Sequence, residues 1–370
     1  MFLAAPFCLA AQEAEKAFFE KGTVKAPSHD GDTHAYPVIA RTSSGKLITV
    51  WGQSGGGIRF SRIMGSVSED NGKTWGKIFK IIDNDGLSDS DPSILIDGKR
   101  ILVYSSSVVP PNNITKIFTW VAISEDDGET WTKPVEVKSE YNYLVGKRHL
   151  GLKLKDGTLM MPGGFDRWAQ LGGVPARTEG EMDLISGVML SKDGVNWTPY
   201  FSLHVVAQKV TPFGTNGLGE PAVVELENGE LYTLLRSGTE RMYEARSKDG
   251  GKTWSDPVPS ALYGHNIPAS LWRLDQKPEE IIVIWNNSPR ERHPLSVSIS
   301  ADGGRTWSEP KNVADITGTQ KFYHDLQISY PGITQGTDGN FVAVWMEQLP
   351  DKKGRAIRWA RFNRAWVLSK

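Results

Sequence analysis

The sequence predicts an all-β protein assembled from repeated antiparallel units. Three observations carry that expectation: a short motif recurs five times, each copy follows an alternating apolar stretch, and the composition favours turns and sheets. The copies are Ser68-Glu-Asp70-Asn-Gly72-Lys-Thr74-Trp75, Ser124-Glu-Asp126-Asp-Gly128-Glu-Thr130-Trp131, Ser191-Lys-Asp193-Gly194-Val-Asn196-Trp197, Ser247-Lys-Asp249-Gly-Gly251-Lys-Thr253-Trp254 and Ser300-Ala-Asp302-Gly-Gly304-Arg-Thr306-Trp307. Their tryptophans lie 56, 66, 57 and 53 residues apart, a period typical of stacked supersecondary units. The 38 Gly and 13 Trp of the chain suit a turn-rich, sheet-rich protein.

The residue types of the motif make a self-contained turn. Ser and Asp side-chain oxygens fold back onto nearby backbone N–H groups without needing a metal. The Gly supplies a positive φ that other residues resist. The Trp buries a large ring beside the turn. Four copies keep the full pattern, while the third lacks one residue and has Asn196 in place of Thr. The motif therefore reads as a hairpin staple, away from any reaction centre.

These five copies resemble the Asp-box repeats of the sialidase (neuraminidase) superfamily, and the resemblance runs from about residue 30 to the C-terminus. It implies a six-bladed β-propeller of four-stranded antiparallel blades. Residues 23–370 are then expected to form one propeller domain, preceded by a segment 1–22. The repeats override the two or three domains that 370 residues would suggest on length alone.

The start, Met-Phe-Leu-Ala-Ala-Pro-Phe-Cys-Leu-Ala-Ala, looks like the apolar core and small-residue exit of a secretory signal without its basic leader. A periplasmic or secreted protein is expected. Cys8 is the single cysteine, and export would remove it, so no disulfide framework is expected. With 42 Lys+Arg against 43 Asp+Glu, nothing points to nucleic acid or a membrane surface. No stretch is long enough to span a bilayer, and a monomer is expected.

Apolar–turn–apolar hairpins recur at Val38–Trp51, Pro92–Tyr104, Leu150–Pro162, Pro221–Leu235, Ala269–Trp285 and Pro331–Trp345. Six hairpins for five boxes leave one blade without a box, and the N-terminal segment is expected to lend it a strand that closes the ring. In propellers, residues that lead into the inner strands converge on the axis. Those residues are His34 and Tyr36, Asp89 and Asp91, Arg148 and His149, Glu220, His265 and Asn266, and Tyr330. Asp91, His34, Arg148, His149 and Asn266 thereby become candidate site residues.

The resemblance adds chemistry. Sialidases use a tyrosine nucleophile helped by a carboxylate, an exception to the two-carboxylate glycosidase scheme. A neutral phenol avoids repelling an anionic substrate, and a neighbouring Glu takes its proton. Arginines grip the sugar carboxylate with paired hydrogen bonds. Glu220 in Gly219-Glu220-Pro-Ala-Val-Val matches the helper, and Arg236 in Tyr-Thr-Leu-Leu-Arg236-Ser the second arginine. Arg292 in Asn286-Asn287-Ser-Pro-Arg-Glu-Arg292 matches the third arginine, and Tyr330 in Ile328-Ser-Tyr330-Pro-Gly the nucleophile.

Two positions depart from the pattern. Thr33-His34-Ala35-Tyr36-Pro37 puts Ala35 where the family's first arginine stands, and the loop Gly52–Arg62 carries no acid. Arg59 or Arg62 could lend a guanidinium from that loop. Asp91, His34 or His149 could supply the proton. The expected activity is exo-glycoside hydrolysis of a terminal acidic sugar, with a glycan as partner. A carbohydrate-binding propeller without turnover is the alternative, and a polysaccharide lyase using His and Tyr a lesser one. No cofactor is implied: the seven His lack metal-ligand spacing, the group His29, Asp30, Asp32, His34 reads as a polar loop, the boxes lack the terminal Glu of a calcium loop, and no phosphate-binding glycine loop occurs.

Overall fold

The computed structural model describes residues 15–29, 31–109, 113–137, 150–167, 182–207, 209–211, 214–315, 327–349 and 353–370. Antiparallel meanders dominate it. The strands β2 (Thr33–Arg41), β3 (Leu47–Ser54), β4 (Arg62–Ser68) and β5 (Phe79–Ile82) form the first. The second is β6 (Ser88–Asp97), β7 (Arg100–Val109), β8 (Asn113–Ser124) and β9 (Val135–Val137). A third contains β10 (Leu152–Lys153), β11 (Leu159–Asp166), β12 (Asp183–Ser191) and β13 (Thr198–Leu203), with β14 (Asn216–Gly217) paired parallel to β12.

Two more four-stranded sheets follow. They are β15 (Gly219–Glu225), β16 (Leu231–Arg236), β17 (Arg241–Ser247), β18 (Val258–Tyr263), and β19 (Ser270–Arg273), β20 (Ile281–Asn286), β21 (Leu295–Ser300), β22 (Lys311–Ala314). The chain ends with β23 (Ile328–Gln335), β24 (Phe341–Gln348) and β25 (Arg355–Phe362). These pair with β1 (Phe19–Lys25) and join β2 in one eight-stranded sheet. All six hairpins expected from the sequence are present as the first two strands of a meander.

The arrangement is propeller-like. First strands touch their successors: β2 meets β6, β15 meets β19, β19 meets β23, and β23 returns to β2. Second strands bury the largest side chains, with Trp51, Trp285 and Trp345 fully enclosed on β3, β20 and β24. Closure is made at the termini. β1 pairs antiparallel with β25 from Phe19–Phe362 to Lys25–Ile357, so the N-terminal segment does supply the outer strand of the last meander. Asn363 caps the helix Arg364–Leu368 and also accepts from the Phe18 amide at 3.0 Å, while Trp366 stacks on Phe19 at 4.5 Å.

The boxes join the third and fourth strands of their meanders, and their side chains bond as their chemistry dictates. Ser68 Oγ donates to Asp70 at 2.8 Å and accepts from the Gly72 amide at 2.8 Å; Asp70 accepts from the Thr74 amide and hydroxyl at 2.9 and 2.6 Å. In the shorter third copy Asn196 does the work of Thr, donating to Asp193 from its amide nitrogen at 2.8 Å and its Nδ2 at 2.7 Å.

The boxes reach further than hairpin staples. Four of the five turns press their glycine on the preceding meander: a Cβ at Gly304 would sit 2.6 Å from the Tyr232 ring, one at Gly251 2.7 Å from Val188, one at Gly72 2.7 Å from Val342, and one at Gly194 against Leu102. Arg246 donates to Gly303 O at 2.7 Å across the same seam.

Candidate active site

Five inner strands share a feature at their opening. Tyr36, Asp91, Glu220, Asn266 and Tyr330 have φ of 61°, 50°, 46°, 53° and 57°. Pairing to the second strand slips there, between Ala35 and Val38, Ser90 and Ser93, Gly219 and Ala222, and Ser329 and Gly332. Proline follows four of these residues directly, at 37, 92, 221 and 331. A bulge re-aims a side chain away from the sheet face, and the left-handed backbone is unfavourable for non-glycine residues. Among the described residues only Asn71 and Asp127, in box turns, share that backbone sign without being glycine. Strain repeated at the same strand position makes these residues a candidate functional locus.

The side chains at this locus form a continuous relay. Glu220 Oε2 lies 3.1 Å from Arg236 Nη1. Arg236 Nε donates to Asn266 Oδ1 at 2.8 Å, and Arg292 Nη2 donates to the Asn266 carbonyl at 3.0 Å. Arg292 Nη1 then donates to the Tyr330 hydroxyl at 2.9 Å and to Gln327 Oε1 at 3.3 Å. Every member is buried. In so dry a setting charge-assisted bonds are strong, and losing one partner strands the other. Arg236 comes from the end of β16 and Arg292 from the loop after β20, so three successive meanders are drawn on. Glu220, Arg236, Asn266, Arg292 and Tyr330, each a sequence candidate, stand together.

Tyr330 is also fixed by packing. Its ring meets that of Tyr36 edge-on, with centroids 5.0 Å apart and an interplanar angle of 87°, and Arg292 lies over its face at 5.1 Å. Ala35, at the position of the family's first arginine, packs with Tyr330 and Met346. No guanidinium arises from that backbone position, and the aromatic pair occupies the neighbourhood.

The remaining candidates are placed differently. His34 is fully buried with both ring nitrogens engaged. Trp51 Nε1 donates to Nδ1 at 3.0 Å, which leaves Nε2 to donate to Asp32 at 3.2 Å. Burial pushes its imidazole down, against the opposing pull of Asp32, so His34 is a neutral support for β2 rather than a contact for substrate. Arg59 is exposed and stacks on Phe60 at 4.9 Å, and Arg62 donates to Gln53 at 3.1 Å.

Asp91 occupies on β6 the left-handed position that Glu220 and Tyr330 occupy on theirs. Two residues away, Asp89 accepts from Ser107 and from the Asn84 amide and side chain, and burial pushes its carboxyl up. Arg148 and His149 lie outside the described residues. Gln327, Thr215 and the stacking role of Tyr36 were not anticipated. Tyr36 had a signal, the Tyr-Pro dipeptide it shares with Tyr330. Among the described residues no group of three or more His, Cys, Asp or Glu is placed to hold a metal.

The description "BNR repeat-like domain" matches residues 92–343. The chain belongs to the BNR repeat-like family. Within it, this family member is 29% identical over 283 residues to a sialidase of Bacteroides fragilis, covering 66% of this chain and 47% of the relative. It is 27% identical over 254 residues to the anhydrosialidase of Macrobdella decora, covering 64% of this chain and 29% of that one. The chain thus spans less than half of either. In structure it resembles the Hadza microbial sialidase Hz136, with a TM-score of 0.70, 19% identity, and coverage of 91% of this chain and 66% of the other. Sialidases therefore surround this BNR repeat-like chain in both sequence and fold.

Proposed function

We propose that this protein is a sialidase-like exo-glycoside hydrolase acting on a terminal acidic sugar of a glycan, with Tyr330 as nucleophile and Glu220 as its base. The relay from Glu220 through Arg236, Asn266 and Arg292 to Tyr330 carries the reading. Arg236 and Arg292 supply guanidinium groups for a carboxylate. Tyr330 oxygen attacks the anomeric carbon as its proton passes to Glu220. The glycosidic C–O bond breaks, and the leaving oxygen takes a proton from Asp91. Water then attacks the same carbon, giving its proton to Asp91, and Tyr330 recovers its own from Glu220. Two displacements retain configuration.

The strand pairing fits six blades when the eight-stranded sheet is divided between β25 and β2, where a single parallel pair, Thr33–Arg355, links them. Export remains part of the reading, on the signal-like residues 1–11.

A second reading has a specific observation behind it. Ala35 and the acid-free loop 52–62 fit a propeller that binds an acidic glycan without cleaving it. One assay separates the two. Release of sugar from aryl glycosides of sialic acid, lost in Tyr330→Phe and lowered about 10²–10⁴-fold in Glu220→Gln, supports hydrolysis. Binding without release supports the alternative.

A further inference from the structure

We infer that Asn266 is a positioning residue that sets the two guanidinium groups in register, through two separate acceptors, its side-chain Oδ1 and its main-chain carbonyl, which a left-handed backbone presents together. Its side-chain Oδ1 accepts from Arg236 Nε at 2.8 Å, and from the Thr215 amide and hydroxyl at 3.4 and 3.3 Å. Three donors face one end of the amide, which assigns that end as oxygen. Its main-chain carbonyl accepts from Arg292 Nη2 at 3.0 Å, and its own N–H donates to Ser237 O at 2.8 Å. With a φ of 53°, the carbonyl meets Arg292 from the loop after β20 while the side chain meets Arg236 at the end of β16. Asn is one of the few residues that accept this backbone readily.

Asn266 has no accessible surface. It therefore reaches a ligand through the arginines, not by direct contact, which refines its expected substrate-binding role. Arg236 holds Glu220 and Arg292 holds Tyr330, so Asn266 joins the arginine of the base to the arginine of the nucleophile. The neighbouring His265 is tied down separately: its Nδ1 donates to Thr239 O at 3.1 Å and Thr211 donates to its Nε2 at 3.0 Å.

The two functions of Asn266 separate by substitution. Asn266→Gly keeps the left-handed backbone and deletes Oδ1. Asn266→Ala deletes Oδ1 and penalises the backbone as well. Asn266→Asp keeps both the acceptor and the tolerance for positive φ. In crystals, Arg236 is expected to leave its position in N266G while Arg292 stays. Both should move in N266A, and neither in N266D. The kinetic arm rests on the hydrolase reading above. With an aryl sialoside, kcat should fall about tenfold in N266G and about a hundredfold in N266A, and by clearly less than in N266G for N266D.

Unmoved arginines in N266G, or a loss of kcat in N266D equal to that in N266G, would overturn the proposal. If N266A does not fold, the contrast between N266G and N266D still decides. If the parent protein cleaves nothing, the hydrolase reading fails while the crystallographic contrast still tests Asn266.

Discussion

Asn266 reached the candidate set because polar residues at the mouths of apolar hairpins are unusual enough to notice, and Glu220 and Tyr330 also because their segments resemble the family's. What the sequence did not disclose is their shared left-handed backbone, since a residue before proline, as Glu220 and Tyr330 are, is ordinarily expected to be extended. His34 shows the reverse case. Its sequence position is as suggestive as that of Glu220, but Trp51 and Asp32 satisfy both nitrogens, and a side chain's partners are invisible in sequence. His34 and His265 also carry a residue-scale prediction. Burial pushes both imidazoles down, aided at His265 by the charges of Arg236 and Arg292. Between the usual imidazole value near 6.5 and the lower folded one, the unfolded chain binds more protons than the folded protein, so stability rises with pH in that window. Thermal melts from pH 7.5 to 5 should show melting temperature falling on acidification. Each imidazole adds a slope of up to about 1.4 kcal/mol per pH unit, and His265→Gln should flatten it.

Among the elements, the boxes were the most legible part of the chain, because Ser, Asp, Gly, Thr and Trp act locally within a few residues. Their second role depends on tertiary contact and so was not legible: the glycine face of four of the five turns clasps the meander before it. Gly304 combines a φ of 88° with close contact to Tyr232. Gly304→Ala should therefore cost about 2–4 kcal/mol, from the backbone penalty and the overpacked seam together, read as a lowered urea midpoint. The acids of the boxes respond to pH in the opposite way to the histidines. The Thr130 hydroxyl and amide hold Asp126 at about 2, and the Thr253 hydroxyl does the same for Asp249. Their contribution is complete above the unfolded carboxylate value and is lost as pH falls through about 2. Asp249→Asn should leave stability at pH 3 less dependent on acid than in the parent.

For the whole molecule, the resemblance of the boxes to Asp-box repeats foretold a propeller, and the surplus hairpin foretold that the N-terminal segment would help to close it. The closing chemistry was hidden, because Asn363 lies more than 300 residues from its partner Phe18. Asn363→Ala removes the helix cap and the anchor of β1 together, and should lower stability by about 1–3 kcal/mol, with early protease cleavage before residue 26 as the visible sign. The packing of the meanders brings the ends of β15, β16, β20 and β23 to one place. The claim that this convergence makes Glu220 and Tyr330 a working pair is tested most directly by trapping. Incubation with a fluorinated sialic acid that stalls the second displacement, followed by peptide mass spectrometry, should place one sugar adduct on Tyr330 and none in Tyr330→Phe. An adduct on another residue, or none on a protein that releases sialic acid from the same glycans, would contradict the account.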